Sequence, residues 1–212
     1  MTRHHPDSLM LMEYSAGNLS EPHALCIRLH LDKCAQCRSR VDALDSLGAV
    51  VMEQQSQVTV SATTFDNILA RIDGEPVPEP AAKPPVPRSP LTKLLGDDLD
   101  GLPWKRQLRD VSVLDITDRF PGQSDQVILQ KLCAGGKAPV HTHRGEETTV
   151  VLQGAFSDNR GVFNQWDFVV LGQEDEHKPI ALEGDDCITL SVLSAPLKLT
   201  GTFGRLLNPF IR

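Results

Sequence analysis

One short segment carries a histidine and two cysteines at the spacing H-x3-C-x2-C, formed by His30, Cys34 and Cys37. Residues four apart on a helix share a face, so a histidine near a helix end points toward a cysteine just beyond it. Two cysteines separated by two residues reach one ion through a tight turn, and zinc prefers thiolate and imidazole ligands. The segment predicts a zinc site, with a redox-active cysteine pair or scattered buried residues as alternative interpretations.

A structural zinc site needs four ligands, so one more must come from another part of the chain. His5 is the preferred choice, because it lies just before the first predicted helix and can fold back onto the second. His4 and His23 are the competing choices. Cys37 lies at the start of the third predicted helix, where the helix dipole and free amides favour a thiolate. A small helical region gains stability from a metal because its own core is small.

A second group of metal-ligand residues follows the pattern G-x5-H-x-H-x3-E-x6-G over residues 135–154. Residues two apart on a strand face the same side, so His141 and His143 point together into a β-structure. Glu147 then returns on the next strand, and His177 lies 30 residues beyond it, where a later hairpin would bring back a fourth ligand. Two imidazoles and a carboxylate suit zinc, iron, manganese or nickel. The pattern predicts a second metal site.

The remaining acidic and thiol candidates are secondary to these two groups. Glu146 is the alternative to its neighbour Glu147 and is expected to face outward. The chain has five cysteines, an odd number that disfavours a disulfide framework. Cys26 is expected to be a core thiol. Cys187 is a candidate target of oxidation, although a buried structural thiol is the preferred interpretation, and the redox role of Cys133 stays open.

The composition limits the classes of protein to which the chain can belong. An apolar content of 40% with 23% charged residues is typical of a globular protein. The absence of any uninterrupted apolar run of about 18 residues predicts no membrane-spanning segment. The first residues lack the apolar stretch of a signal peptide, so a cytoplasmic location is expected. A net charge of −7 without a lysine- or arginine-rich block argues against direct binding of nucleic acid.

The two groups of ligands lie in regions of different character. Residues 1–72 show helical periodicity and predict four helices. The last of these helices has an apolar stripe, which comprises Phe65, Ile68, Leu69 and Ile72. Residues 73–90 hold seven of the fifteen prolines and predict an extended, semi-rigid linker. Residues 91–212 alternate short apolar runs with turn residues, which predicts an antiparallel sandwich or barrel.

The predicted fold class is therefore multidomain α + β, in which a small helical zinc-binding domain joins a C-terminal antiparallel β-barrel. Segment 135–154 resembles the first motif of the cupin superfamily, and His177 is the residue retained from the second motif. Gly172 and Glu174 stand where cupins often have proline and glycine. The H-x3-C-x2-C element after an N-terminal histidine is similar to that of zinc-binding anti-sigma domains. This arrangement resembles the ChrR family of anti-sigma factors along nearly the whole chain.

The resemblance implies that residues 1–72 bind an extracytoplasmic-function sigma factor and block its access to core RNA polymerase. It implies zinc at both groups, the first comprising His5, His30, Cys34 and Cys37 and the second His141, His143, Glu147 and His177. It also implies that the cupin is needed to release the sigma factor under oxidative stress, such as singlet oxygen or organic hydroperoxides. A change in the cupin is expected to act through contact between the cupin and the sigma factor or through local unfolding, because a local rotation would have to be transmitted across the proline-rich linker.

Two other functions fit parts of the same pattern. A site of three histidines and one glutamate also serves cupin dioxygenases and isomerases, so a metal-dependent enzyme is the first alternative. Because the helical region has no role in such an enzyme, this interpretation ranks second to that of an anti-sigma factor. A metal-buffering or purely structural protein is the other alternative and predicts that co-expression captures no sigma factor. Cupins often dimerise, and a homodimer is compatible with the sequence although no segment requires one.

Overall fold

The computed structural model of the chain describes residues 2–74, 89–96 and 99–201. Most of the predicted linker, residues 75–88, lies outside the described residues. The described part contains α1 Ser8–Ser15, α2 Glu21–Leu31, α3 Ala35–Glu53, α4 Thr64–Gly74 and α5 Pro90–Leu95. Within this part, no helix combines the length and the apolar character needed to cross a bilayer.

Local signals set the ends of the first helices. Asp7 precedes α1, and its carboxylate accepts a hydrogen bond from the Met10 amide at 2.7 Å. Gly17 follows α1 with a φ of +71°, a left-handed conformation that suits glycine at the end of a helix. Pro22 lies in the first turn of α2, where no amide donor is required. Local side chains thus set these helix ends, and the last helix of this region, α4, begins at Thr64.

The second region consists of antiparallel strands, as predicted. The strands are β1 Lys105–Arg106, β2 Val111–Asp115, β3 Gln126–Leu132, β4 His141–His143, β5 Glu147–Gln153, β6 Ala155–Asp158, β7 Gly161–Asn164, β8 Phe168–Leu171, β9 Ile180–Ala181, β10 Cys187–Leu193 and β11 Leu197–Leu199. They form a six-stranded sheet in the order β1-β2-β3-β10-β5-β8, a three-stranded sheet β7-β6-β9 and a two-stranded sheet β11-β4. This is a cupin-like β-structure.

Gly154 divides the apolar stretch of residues 148–156 between two strands, β5 and β6. Its φ is +65°, and a Cβ built there would lie 2.6 Å from the carbonyl oxygen of Asp186. The chain therefore breaks at this glycine, so that β5 stays in the six-stranded sheet and β6 enters the three-stranded one.

Both faces of the six-stranded sheet are buried, which explains why β10 has seven buried residues in succession. One face, including Val127, Leu190 and Val192, packs against the helices. The opposite face, including Val151 and Cys187, packs against the interior of the β-structure. The predicted ligand Glu147 lies on this inner face, two and four residues before Thr149 and Val151 on β5.

The helices lie directly on the outer face of the sheet. Helix α2 contacts β5, β8 and β10, and Ile27 and Leu29 join Leu190 and Val192 in one apolar core. Packing of this kind stabilises both regions through burial of apolar surface, about 25 cal/mol per Å². The two regions are thus in contact independently of the linker, and this contact bears on how a change in one could reach the other.

Candidate metal centres

The first group of predicted ligands comes together where the segment before α1, the end of α2 and the start of α3 meet. His30 lies in the last turn of α2, and its carbonyl accepts hydrogen bonds from the amides of Lys33 and Cys34 at 3.0 and 2.9 Å. This tight turn brings Cys34, the residue before α3, back beside His30. Cys37 follows in the first turn of α3. One turn between α2 and α3 thus brings the three residues of the H-x3-C-x2-C element close together.

The donor atoms of His5, His30, Cys34 and Cys37 all lie within 4.8 Å of one another. His5 Nδ1 is 3.3 Å from His30 Nε2 and 3.4 Å from each of the two cysteine sulfurs. A tetrahedron with zinc bonds of about 2.0–2.3 Å has edges of about 3.3–3.8 Å. The four residues therefore fit a closed tetrahedral zinc site.

The structure separates His5 from its competitors. The His4 ring lies 4.3 Å from that of Phe163, and its Nε2 is 3.2 Å from the carbonyl oxygen of Val162. His23 Nδ1 lies 2.7 Å from the Ser20 hydroxyl. Neither histidine belongs to the group of four donors, whereas His5 is in contact with all three of the others.

The hydrogen bonds and pKa shifts within the first group favour the binding of a divalent cation. His30 donates from Nδ1 to the Trp166 carbonyl at 2.7 Å, which leaves the Nε2 lone pair facing the cysteines. Burial would raise the pKa of Cys34, but hydrogen bonds from Thr2 and the Cys37 backbone outweigh it and lower that pKa. Burial and the neighbouring Cys34 raise the pKa of Cys37 to about 12. The two thiols are hydrogen-bonded to each other, so without a cation only one of them readily loses its proton, whereas a dication would stabilise both thiolates.

The second group is assembled by backbone pairing. His141 and His143 lie on the same face of β4, and both are buried. His177 is paired with His141 by two hydrogen bonds, from the His141 amide at 3.1 Å and from the His177 amide at 3.0 Å. One ring nitrogen from each of the three histidines lies within 4.8 Å of the other two. The structure thus brings together the three predicted histidines.

The rings of His141 and His177 are held with their lone pairs facing each other. His141 Nδ1 donates to the Pro139 carbonyl at 2.8 Å, and His177 Nδ1 donates to the Asp158 carboxylate at 3.0 Å. Their Nε2 atoms lie 2.9 Å apart. Burial lowers the pKa of both rings, and burial together with the charge of His141 lowers that of His177 to about 4. Both rings are therefore neutral near pH 7, and a shared cation is the group that satisfies two opposed lone pairs.

Glu147 lies beside the three histidines, in contact with one of them. Its Oε2 is 3.0 Å from His143 Nδ1, and its Oε1 accepts a hydrogen bond from the Thr149 hydroxyl at 2.7 Å. Among the described residues, both ring nitrogens of His143 and Oε2 of Glu147 are buried without a hydrogen-bond partner of good geometry. Burial would raise the pKa of Glu147, but His143 outweighs it and lowers that pKa to about 2. Buried ligand atoms without partners fit a metal at this position.

The secondary candidates lie where the sequence analysis expected them. Glu146 is exposed and Cys26 is fully buried, with its pKa raised to about 12 by burial. Cys187 is buried on the inner face of the sheet, and burial raises its pKa to about 12 as well. Cys133 is exposed. A protonated, buried thiol reacts slowly with oxidants, so these facts favour a packing role for Cys187.

Three residues that contact the predicted ligands were not anticipated from the sequence. Asp158, buried at the end of β6, accepts hydrogen bonds from His177 and from Arg160. Trp166 and Asp167, between β7 and β8, contact His30 and the segment that precedes His5. The turn-forming residues around Asp158 indicate only a turn, and nothing in spacing or composition identifies Trp166 or Asp167 as neighbours of a metal site. Such neighbours are set by the fold and not by local periodicity.

Two adjoining cavities reach the second group. A cavity of about 30 Å³, the size of one water molecule, is lined by His141, Glu147 and His177. A second cavity of about 320 Å³ is also lined by His141, and its other lining residues are mainly apolar, including Val113, Ile128 and Leu199.

Comparison with known proteins identifies relatives of the whole chain. The family described as the ChrR cupin-like domain matches residues 97–195. The anti-sigma-E factor ChrR of Cereibacter sphaeroides is 36% identical over 214 residues, covering 99% of this chain and 98% of the relative. The crystal structure of Rhodobacter sphaeroides SigE in complex with the anti-sigma ChrR matches with a TM-score of 0.77 at 33% identity, over 91% of this chain and 100% of that chain. This chain therefore belongs to the ChrR family of anti-sigma factors.

Proposed function

We propose that this chain is an anti-sigma factor that binds and inhibits an extracytoplasmic-function sigma factor. Support comes from the full-length similarity to anti-sigma factors named ChrR, one of which has been crystallised in complex with SigE. It also comes from an apolar surface that the described residues leave uncovered. A regulatory function of this kind is favoured over the dioxygenase or isomerase that the second metal group alone would also suit.

The single observation that carries the proposal is the exposed apolar stripe of α4. No residue of α4 is buried, and the exposed fractions of its four apolar side chains range from 42% to 68%. The stripe comprises Phe65, Ile68, Leu69 and Ile72. An amphipathic helix without a covered apolar face is not stable by itself in water, so it requires a partner surface. A helix of this type typically docks in an apolar groove of another protein.

The end of α3 carries a second set of exposed apolar side chains. Four of its side chains are exposed by 49% to 69%, namely Leu47, Val50, Val51 and Met52. The first half of α3 differs, because Cys37 and Val41 are buried there. We call the stripe of α4 and these four residues of α3 the docking surface. Exposed apolar patches of this extent mark sites of protein–protein interaction.

Zinc at His5, His30, Cys34 and Cys37 would fix the ends of α2 and α3 and the segment before α1. Zinc supplies bonds that hold four donors in a tetrahedron, and the chain supplies their positions. The second group, the three histidines with Glu147, would bind a metal inside the cupin, and zinc is again the proposed ion. The first site would be structural, so that the docking surface is presented in one arrangement, and the second would take part in release.

The cupin is proposed to govern release of the sigma factor under oxidative stress, such as singlet oxygen or an organic hydroperoxide. Because Cys187 is a buried, protonated thiol, the ligands of the metal sites are the preferred targets of the oxidant. Release of a tightly held partner requires a change of several kcal/mol in binding free energy. The contact between α2 and the sheet offers a route for that change which does not cross the linker. A cytoplasmic location follows from this role, since sigma factors act on RNA polymerase there.

The proposal is tested by co-purification from cells that express the full chain with candidate extracytoplasmic-function sigma factors. The wild type is expected to capture one of them, and Cys34→Ser/Cys37→Ser is expected to lose the capture. Cys133→Ser is the matched control, because Cys133 is exposed and lies in neither group. Failure of the wild type to capture any sigma factor would refute the function. Capture by the double variant at the wild-type level would show that zinc is not needed for binding.

A further inference from the structure

The turn between β7 and β8, residues 164–168, lies in the cupin but contacts the first metal group. It is hydrogen-bonded to two separate parts of the chain: the segment just before His5, and His30 itself. These contacts join positions more than 130 residues apart in the chain. We call residues 164–168 the coupling turn.

Asp167 of the coupling turn holds the N-terminal segment. Its side chain is fully buried, and Oδ1 accepts hydrogen bonds from the amides of Arg3 at 2.7 Å and His4 at 3.2 Å. Oδ2 accepts a third from the Asn164 amide at 2.8 Å, which closes the turn itself. The carbonyl of His4 in turn accepts from the Phe168 amide at 3.1 Å. Residues 3 and 4 are therefore fixed on the cupin immediately before His5.

Trp166 holds the other ligand. Its carbonyl accepts the hydrogen bond from His30 Nδ1 at 2.7 Å, so that Nε2 faces the cysteines. Among the described residues other than glycine, Trp166 alone has a positive φ, of 73°. A non-glycine residue in this conformation is held there by its surroundings. Lys33, in the turn between His30 and Cys34, places its ammonium 5.4 Å from the centre of the Trp166 ring.

The coupling turn is also fixed to the strand that begins with Glu147. The Trp166 amide donates to the Val151 carbonyl at 2.7 Å, and the Val151 amide donates to the Asp167 carbonyl at 3.1 Å. Val151 lies on β5, four residues after Glu147. A displacement of β5 at the second metal group would thus be carried by two backbone hydrogen bonds to the residues that hold His5 and His30.

We propose that the coupling turn is an outer part of the first metal site: Asp167 positions His5 through residues 3 and 4, Trp166 orients His30, and metal affinity at this site therefore depends on the cupin. The inference rests on the proposed binding of zinc by His5, His30, Cys34 and Cys37. Residues that orient metal ligands through a second hydrogen bond affect metal affinity by about 10- to 100-fold. Asp167 is a positioning residue in this sense, because it does not reach the metal.

The test measures zinc affinity of the full chain by competition with a chelator, with Co²⁺ as the spectroscopic probe. Thiolate-to-cobalt absorption reports the first site alone, because the second group contains no cysteine. Asp167→Ala is expected to weaken binding at the first site at least about tenfold. Asp167→Asn is expected to restore most of it, because an amide oxygen still accepts from the two N-terminal amides. Asp115→Ala is the control, since Asp115 caps the Thr117 amide at 2.9 Å in another turn.

The outcomes separate the two proposals. If the wild type gives no thiolate–cobalt absorption, the proposed metal site itself is wrong. If the wild type binds cobalt but Asp167→Ala stays within about threefold of it, or Asp115→Ala loses as much affinity, the role of the coupling turn is refuted. Circular dichroism of each variant establishes that it is folded before its affinity is compared.

A second measurement leaves the coupling turn intact, in case Asp167→Ala fails to fold. If the turn stabilises the bound metal, the metal must stabilise the turn by the same free energy. In His141→Ala/His143→Ala, which confines zinc to the first site, zinc is expected to slow hydrogen exchange at the amides of Val151, Trp166 and Phe168. Unchanged exchange at these amides on zinc binding would overturn the inference.

Discussion

The Nε2 atoms of His141 and His177 lie 2.9 Å apart with both of their Nδ1 atoms committed to acceptors. Two neutral imidazoles cannot satisfy each other in this orientation, because each presents a lone pair. Their backbones are paired as well, and each ring is oriented by the hydrogen bond that its Nδ1 donates. The fold therefore holds two donors in place for a cation, and several measurable consequences follow from this geometry.

The loss of both histidines of β4 should remove one of two metal equivalents. His141→Ala/His143→Ala is expected to retain the metal bound by the cysteine-containing group and to lose the other, as measured by elemental analysis of the purified full chain. Thr142→Ala is the matched control, because Thr142 lies between the two on the opposite face and bonds to the Gln173 carbonyl instead. Two equivalents in the double variant would contradict the assignment.

Asp158 should tune metal affinity in the cupin without contacting the metal. Its carboxylate accepts from His177 Nδ1 at 3.0 Å and from Arg160 at 2.5 Å. Asp158→Asn is expected to weaken metal binding at the second site by about 10- to 100-fold, because a carboxylate partner makes an imidazole more basic. The affinity is measured by chelator competition in Cys34→Ser/Cys37→Ser, which leaves only this site. Asp175→Asn, which alters a cap on the Gly172 amide, should change the affinity far less.

The metal-free protein should lose stability as the pH falls from about 6.5 to about 4. The pKa of His177 is lowered from 6.5 to about 4 by burial and by His141, so the unfolded state binds more protons within that window. The free energy of unfolding contributed by His177 decreases across it by roughly 3 kcal/mol, and the shifts of His141 and His30 act in the same direction.

Urea unfolding of the chelator-treated protein at pH 7, 5.5 and 4 measures this dependence. His177→Phe should flatten the profile, because its ring takes no proton. Glu147 acts in a separate window, since its pKa is lowered from 4.5 to about 2 and its contribution is lost only as the pH falls between those values. A stability that does not change between pH 6.5 and 4 would contradict the protonation states assigned to the histidines.

Charges on the docking surface should abolish capture of the sigma factor without unfolding the chain. Phe65→Asp and Ile68→Asp each place a carboxylate on the α4 stripe and are expected to weaken binding at least about tenfold, while the melting temperature of the free chain stays the same. Val170→Asp is the matched control, since Val170 is 41% exposed on β8, away from this surface. Equal loss of binding in the control would argue against a docking role for α4.

Replacement of each of two glycines by alanine should change the stability of the chain in opposite directions. Gly154→Ala is expected to destabilise the chain by about 1–3 kcal/mol, because the backbone is left-handed and the new Cβ would meet the Asp186 carbonyl. Gly48→Ala lies within α3 with nothing within 4 Å of the added Cβ, and is expected to stabilise by about 0.5–1 kcal/mol. Thermal unfolding monitored by circular dichroism distinguishes the two, and a stabilising Gly154→Ala would contradict the turn geometry.

The elements that local chemistry controls were predictable from the sequence. Asp7 and Gly17 mark the limits of α1, and the 3.6-residue period identifies α4 by Phe65, Ile68, Leu69 and Ile72. Ligands with a fixed spacing were predictable too, since a helix turn links His30 to Cys34 and a strand places His141 beside His143. The change from one sheet to another at Gly154 was not predictable, because periodicity alone does not show where a strand leaves its neighbours.

Contacts between distant segments were not predictable. Asp167 and Trp166 have no spacing relationship to His5 or His30, and the role of their carboxylate and carbonyl depends on how α2 lies on the sheet. The cover on the outer face of that sheet was also not predictable, because β10 is buried on both sides and periodicity does not reveal what covers each. These relationships belong to tertiary packing, which a single sequence does not encode in local patterns.

The continuous apolar core beneath α2 has a consequence for quality control in the cell. If the helices were lifted from the sheet, Val127, Leu190 and Val192 would face water on strands that are otherwise fully paired. A freshly exposed apolar sheet face is what chaperones and proteases recognise. A chain whose two regions separate would therefore be marked for degradation, and the response to a signal would become irreversible for that molecule.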